Sequence, residues 1–380
     1  MKRFIIFILL FLTSVHSEVR YIDEIFDEVS ITQDVVYGNA PDLPFVFFFE
    51  WNTVDIDLEM DIYQPLNDTE IQRPVIIFLH PGAFFSGTKD SDDMVSLSIS
   101  AAKRGYVAIS ASYRLGLNIV STYSGERAVY RGVQDASALV RYLRHYHEEL
   151  NINPDQIFIW GSSAGSFIGL HLAYSDDSER PESSYGSGND PDLGCINCEG
   201  NNYEQNSKPN ALVSCWGAIG DLDWIEEDDN VPTILFHGDA DIVVPYDSGL
   251  PFTINIALPV VYGSSQIFNK LNSLNIETEA YIEDGEGHEY WGSLNGSWIS
   301  GPNEYFNQIQ TDSYNFLYNQ LDLGEIGDVN QDSEINIIDV VELVSIILGE
   351  SNSNDFSDIN QDNSVDILDV IQLVNLILSF

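Results

Sequence analysis

The stretch QIFIWGSSAGSFIGLHLAY passes from a strand-like apolar run into a helical one. At the junction, Gly161, Ser163 and Gly165 fit G-x-S-x-G in the strand–turn–helix setting that gives this pattern meaning. The two glycines allow a sharp turn that leaves the middle hydroxyl exposed, which makes Ser163 the candidate nucleophile. Ser162 and Ser166 read as turn and first-turn residues. A serine hydroxyl reacts only when a positioned base takes its proton and an acid orients that base. Of the 7 histidines, only His288 follows the acids that lie beyond Ser163; it sits in the glycine-flanked EDGEGHEYWG. The acid belongs in HGDADIVVPY, at the end of the apolar run TILFHG, where Asp239 and Asp241 both qualify by position. An oxyanion formed at Ser163 needs hydrogen-bond donors, and the N–H of Ala164 is the first candidate. Others come from HPGAFFSG: Pro81 has no N–H, so Gly82 and Ala83 must donate. His80 and His237 read as loop braces, not as bases.

A second chemistry is written twice near the C-terminus. Asp328, Asn330, Asp332, Asn336 and Asp339 occupy positions 1, 3, 5, 9 and 12 of a loop, and Asp358, Asn360, Asp362, Asp366 and Asp369 repeat the register. This is the oxygen spacing of calcium-binding EF-hand loops, with the backbone carbonyls of Glu334 and Ser364 at the seventh position. Ser333 and Asn363 stand where such loops usually place glycine. Each loop leads into a helix whose Val340, Leu343, Val344 and Ile347, or Val370, Leu373, Val374 and Ile377, fall on one face, so the two helices are expected to bury each other.

These groups need a scaffold. Between residues 58 and 290, apolar runs (LEMDIY, PVIIFLH, YVAISASY, QIFIWG, ALVSCWG, TILFHG, ETEAYIE) alternate with helical stretches at 92–104, 127–149, 163–174, 264–275 and 302–320. That alternation predicts an α/β fold, a mainly parallel sheet flanked by helices. The polar stretch 176–210 reads as a surface excursion, and a composition shift at Leu323 and Gly324 separates residues 18–323 from a small all-α module at 325–380. The leading MKRFIIFILLFLTSVHS has the charge, apolar run and small-residue end of a signal peptide over 1–17, which implies a secreted protein without a membrane span. Export permits disulfides, and a bridge from Cys215 to Cys195 or Cys198 is expected. The formal charge of −45, from 15 Lys and Arg against 60 Asp and Glu, excludes nucleic acid and anionic lipid as partners, because both require clustered cations.

VYGNAPDL, MDIYQP, RPVIIFLHPGAFFSG, RGYVAISASYRLG, YRGVQDASALVRYLR, NPDQIFIWGSSAG and HGDADIVVPY, in that order, resemble the α/β-hydrolase carboxylesterases of the hormone-sensitive-lipase-like and bacterial feruloyl-esterase-like groups over about residues 35–320. The resemblance implies ester hydrolysis through an acyl-enzyme and prefers Asp241, directly before the x-V-x-P step, as the acid beside Ser163 and His288. The doublet resembles a dockerin module. That implies calcium as its cofactor and a cohesin-type partner met by the tenth and eleventh loop positions, Ile337 with Ile338 and Ile367 with Leu368. Acyl or feruloyl esters carried on polysaccharide are the expected substrates, with no cofactor for catalysis. A prolyl-oligopeptidase-type peptidase and a non-catalytic scaffold with a hydrolase fold are the alternatives.

Overall fold

The computed structural model describes residues 18–379 other than 45–48, 118–121, 254–258, 325, 331–333, 352, 355, 361 and 363. The 1–17 segment and Asp332 therefore lie outside the described residues. Contacts divide the chain into two compact units, Met1–Asn319 and Gln320–Phe380.

The first unit is built on one sheet of eight strands, which we number β1 (Val29–Asp42), β2 (Val54–Pro65), β3 (Arg73–Leu79), β4 (Val107–Ala111), β5 (Ile152–Ser162), β6 (Ala211–Cys215), β7 (Thr233–Gly238) and β8 (Thr278–Glu283). Their order across the sheet is β1-β2-β4-β3-β5-β6-β7-β8. The first two pairings are antiparallel and the rest parallel. Strands β3, β4, β6 and β7 are buried at every position, as strands covered on both faces must be, which is why they read as unbroken apolar runs. Helices α1 (Asp92–Lys103), α2 (Thr122–His145), α3 (Ala164–Tyr174), α4 (Ser264–Ser273) and α5 (Glu304–Asn319) supply the cover. All seven strand candidates are present, and each helix candidate corresponds to one of these helices.

Strand β1 was not expected from the sequence. Its residues include Asp34, Gly38, Asn39 and Pro41, which break any alternation, and its register with β2 shifts between Thr32 and Val35 and again between Val36 and Gly38. An edge strand with such bulges tolerates these residues because no further strand of the sheet pairs with its outer side among the described residues, where the Asn39 N–H instead bonds the Gly200 carbonyl. The second shift leaves Gly38 so close to Gly200 that a Cβ would lie 2.7 Å from its carbonyl oxygen.

The 176–210 excursion is held down by α2. Arg127 donates to the carbonyls of Ser183 and Pro191, Arg141 to those of Glu199, Asn201 and Tyr203, and Arg144 to that of Asn206. Gln134 bonds the carbonyls of Leu193 and Cys195. The guanidiniums, those of Arg127 and Arg141 buried, thus satisfy an irregular backbone that forms little ladder of its own. Within this strap Cys195 and Cys198 form a disulfide, and Cys215 is a free, buried thiol. The expected bridge from Cys215 is therefore wrong. Cys215 ends β6 inside the sheet, where burial pushes its thiol pKa up, whereas the other two cysteines share one tight turn on the strap.

Arg114, just after β4, donates from Nε to Asp135 of α2 at 2.8 Å, and both side chains are buried. The pair fixes the chain whose Gly116 and Leu117 N–H groups bond the carbonyl of Phe84. Removing one partner strands the other charge, so Asp135→Ala is expected to cost about 3–5 kcal/mol in urea unfolding.

The second unit contains α6 (Ile337–Ile347) and α7 (Ile367–Ile377), each opened by a capping box: Asn336 with Asp339, and Asp366 with Asp369. They pack through Leu343, Ile346 and Leu373 with Val329 and Ile359 from the loops. The buried face is narrower than the periodicity predicts. Val344 and Ile347 are exposed by more than a third, and Ile346 is the buried residue in their place.

Candidate active site

Strand β5 ends at Ser162 and α3 begins at Ala164, leaving Ser163 on the corner at φ 52°, ψ −113°. The glycines are required by contact. A Cβ on Gly165 would sit 2.0 Å from the carbonyl oxygen of Leu79, and one on Gly161 would sit 2.4 Å from the backbone of Gly165. Ser166 Oγ donates to the carbonyls of Gly161 and Cys215, and Ser162 Oγ accepts the indole N–H of Trp216, so both neighbouring serines hold the turn.

His288 reaches Ser163 from the loop after β8, with Nε2 2.8 Å from Oγ. Its Nδ1 lies 2.6 Å from Asp241 Oδ2. The carboxylate can only accept, so Nδ1 carries the proton and Nε2 is left to accept from the serine. Asp241 follows β7 and is itself anchored, its Oδ1 accepting the N–H groups of Val243 and Val244 at 2.7 and 3.0 Å. Burial alone would raise its pKa, but hydrogen bonds from His237 and His288 outweigh that and hold it well below the usual carboxylate range. Asp239, the other positional candidate, instead accepts the N–H of Gly285 at 2.7 Å and steadies the loop that carries His288. Buried His237 accepts or donates at Ser264 Oγ through Nδ1, and its Nε2 faces the Val244 carbonyl at 3.1 Å and Asp241 at 3.3 Å. It braces the acid.

Gly82, Ala83 and Phe84 all have positive φ, of 125°, 56° and 56°, and the Gly82 carbonyl closes their turn by accepting from Phe85 and Ser86. His80 supports this turn from below. It is buried, stacks on Tyr113 and bonds the Pro81 carbonyl through Nδ1, and burial lowers its pKa to about 4, so it stays neutral. Ala83, Ala164 and Ser163 border a cavity of about 510 Å³ whose walls include Phe84, Leu117, Phe167, Trp224, Val244 and Phe252. Ala164 opens α3, and N–H groups in a first helical turn have no intrahelical partner.

In the second unit, Asp339 and Asp369 at the twelfth loop positions are fully buried. Each receives the N–H of its third-position asparagine at 3.0 Å, from Asn330 and Asn360. Asp358 Oδ1 and Asn360 Oδ1 both accept from the Asp362 N–H, at 3.1 and 2.9 Å, so oxygens from positions 1 and 3 converge. Asp328 is buried, and the Glu334 carbonyl faces the Asn336 amide.

Two family profiles match the chain: BD-FAE, a feruloyl-esterase-like domain, over residues 60–227, and the dockerin type I domain over residues 326–378. The first unit has the α/β-hydrolase fold, and the C-terminal residues 326–378 match the type I dockerin domain. Thermogutta terrifontis esterase 2, solved phosphorylated by paraoxon, superposes with a TM-score of 0.52 at 20% identity, covering 80% of this chain and 97% of that one. Among curated proteins, carboxylesterase 3B of Mus musculus is 32% identical over 116 residues, 29% of this chain and 19% of that protein. Neuroligin-2 of Mus musculus is 32% identical over 117 residues, 30% of this chain and 14% of that protein. The chain thus spans under a fifth of the length of these two relatives.

The dockerin loops offer oxygen donors throughout, which fits a hard cation rather than a soft one. No group of three His, Cys, Asp or Glu side chains is gathered for a metal among the described residues. Ile337, Ile338, Ile367 and Leu368 are all more than half exposed and contribute no core. In the hydrolase domain, Trp216 was missed. It touches Ser162, and its ring centroid lies 6.3 Å from that of His288, but nothing in SCWG distinguishes it from an ordinary core tryptophan.

Proposed function

We propose that the hydrolase domain is a serine carboxylic-ester hydrolase that works through an acyl-enzyme on Ser163. The reading rests on the unbroken hydrogen-bond chain from Ser163 through His288 to Asp241, with Ser163 lining a mostly apolar cavity. Ser163 Oγ attacks the ester carbonyl as His288 Nε2 takes its proton. The oxyanion is met by the N–H groups of Ala164, Gly82 and Ala83, and collapse expels the alcohol with the proton returned by His288. Water, activated by the same nitrogen, then releases the acid. Asp241 holds the productive tautomer and offsets the imidazolium charge.

The feruloyl-esterase-like match and the apolar cavity support an aromatic or alkyl acyl group, and the dockerin supports a polysaccharide as its carrier. Turnover of p-nitrophenyl acetate, longer acyl esters and methyl ferulate tests the reading, with a prolyl peptide amide as the peptidase control. Hydrolysis of the amide and of no ester would sink it. In the dockerin domain, Asp328, Asn330, Asp332, Asn336 and Asp339 with the Glu334 carbonyl would hold one calcium ion. Asp358, Asn360, Asp362, Asp366 and Asp369 with the Ser364 carbonyl would hold a second. The bound cation supplies the charge that lets these oxygens crowd together. The exposed Ile337, Ile338, Ile367 and Leu368 then form the face for a cohesin-type partner, and the 1–17 segment directs secretion.

Calorimetric titration of the full chain is expected to read two calcium ions, and Asp339→Ala with Asp369→Ala none. Chelation is expected to lower the melting temperature of the wild type only.

A further inference from the structure

The residue after His288 is a carboxylate with no place in the Ser163–His288–Asp241 chain. Glu289 is 3% exposed and sits at φ 51°, a conformation that a glutamate adopts only where its surroundings impose it. Its Oε2 accepts the Ser293 hydroxyl at 2.7 Å and the Gly296 N–H at 3.1 Å. Ser293 Oγ in turn accepts the Trp291 indole N–H at 2.7 Å. Trp291 meets Trp216 edge-on at 4.7 Å between ring centroids, and Trp216 donates to Ser162, the neighbour of the nucleophile. A single buried oxygen therefore closes the turn that begins at the candidate base and ties it to the corner that carries Ser163.

The same turn meets a second buried acid. The Asp93 N–H in α1 donates to the Gly296 carbonyl at 3.1 Å, and a Cβ on Gly296 would lie 2.9 Å from Asp93 Oδ1. Asp93 is fully buried, its Oδ1 accepts the Met94 N–H, and the Ser91 hydroxyl also bonds its carboxylate. The ionisable groups around Asp93 are Glu289 on the His288 turn, Cys215 at the end of β6 and its own neighbour Asp92, which accepts the Trp298 N–H. No Lys or Arg among the described residues pairs with Glu289 or Asp93.

We propose that Glu289 is a positioning residue for the reaction: it gathers Ser293 and Gly296 onto one carboxylate to set His288, and Asp93, bonded to the same Gly296, packs against that turn. The inference rests on the reading of His288 as the base. Burial first, and the charge of Glu289 second, raise the Asp93 pKa from 3.8 to about 8. Between those values the unfolded chain has released this proton and the native protein has kept it, so stability falls as pH rises, and the penalty is complete above about pH 8. Ionisation then sets a second buried charge against Glu289 and loosens the turn.

The test uses the full chain. Glu289→Ala is expected to lower kcat on p-nitrophenyl acetate at least about tenfold, with KM changed less than about twofold, because orientation is lost and binding is not. Glu289→Gln keeps a side-chain carbonyl for both bonds and should restore most of the rate. The His288 Nδ1 proton, assigned by its loss in His288→Ala, should give a sharp downfield NMR signal in wild type and Glu289→Gln and a broadened or missing one in Glu289→Ala. Wild-type activity should fall as pH rises through about 8, whereas Asp93→Asn should hold its activity there and melt higher than wild type at neutral pH. A Glu289→Ala protein with unchanged kcat and an intact signal, or an alkaline fall that persists in Asp93→Asn, overturns the proposal. A wild type that hydrolyses no ester defeats the ester-hydrolase reading alone, because the NMR signal and the melting temperatures still decide the role of Glu289.

Discussion

Ser163→Ala is expected to lower kcat on p-nitrophenyl acetate by on the order of 10⁶, to whatever the oxyanion donors and binding alone sustain. The size follows from the chemistry. Without Oγ no acyl-enzyme forms, and His288 has only water to activate in a geometry built for a hydroxyl 2.8 Å away. The fold should not suffer. Ser163 contributes no side-chain cap to α3, and the turn is held by Ser162 and Ser166, so the melting temperature is expected to stay near that of wild type. A second readout separates loss of the nucleophile from loss of the site. Paraoxon should add one diethylphosphoryl group to the wild type, with release of p-nitrophenolate, and none to Ser163→Ala. An alanine variant that still hydrolyses ester at a tenth of the wild-type rate would place the nucleophile elsewhere.

Asp241→Asn is expected to lower kcat by about 10⁴, mostly by inverting the imidazole. The native carboxylate accepts from Nδ1 at 2.6 Å, and two backbone N–H groups on its other oxygen keep it from turning. An asparagine placed there keeps its carbonyl on Val243 and Val244 and points its NH₂ at His288. Nδ1 must then accept, and Nε2–H faces Ser163 with no capacity to take its proton. Because His237 and His288 hold the wild-type carboxylate ionised far below neutrality, its acid titration cannot shape the activity profile around pH 6–8. Its stabilising contribution is present above the ordinary carboxylate pKa of 3.8 and is lost only as pH falls through the depressed native value. Asp239→Asn, by contrast, should cost little in kcat, since Asp239 bonds the Gly285 N–H and an asparagine carbonyl can do the same. A larger loss in Asp239→Asn than in Asp241→Asn would reverse the two assignments.

How much of this was legible depended on the range of the interaction. The strands β3, β4, β6 and β7 are apolar throughout because both faces are covered, so burial is printed directly in their composition. The elbow and the doublet were legible for a related reason: a sharp turn and a cation loop each need particular residue types within about a dozen positions. Strand β1 escaped because its bulges interrupt the alternation that marks a strand. The cysteine pairing went wrong because spacing along the chain says nothing about Cys215 ending in the middle of a sheet.

Local residue order was thus enough for the class of fold, the corner that bears Ser163, the oxygen-rich register of the two loops and the short set of acids and bases that could serve them. Choosing within that set took contacts between residues far apart in the chain. Only folding brings His288 to a serine 125 positions earlier, turns Asp239 toward Gly285 while Asp241 meets the imidazole, and sets Glu289 against Asp93 beneath the same turn. The physical reason is that side-chain chemistry and backbone freedom belong to each residue, whereas burial, hydrogen-bond partners and proton affinity belong to the surroundings that the whole chain assembles.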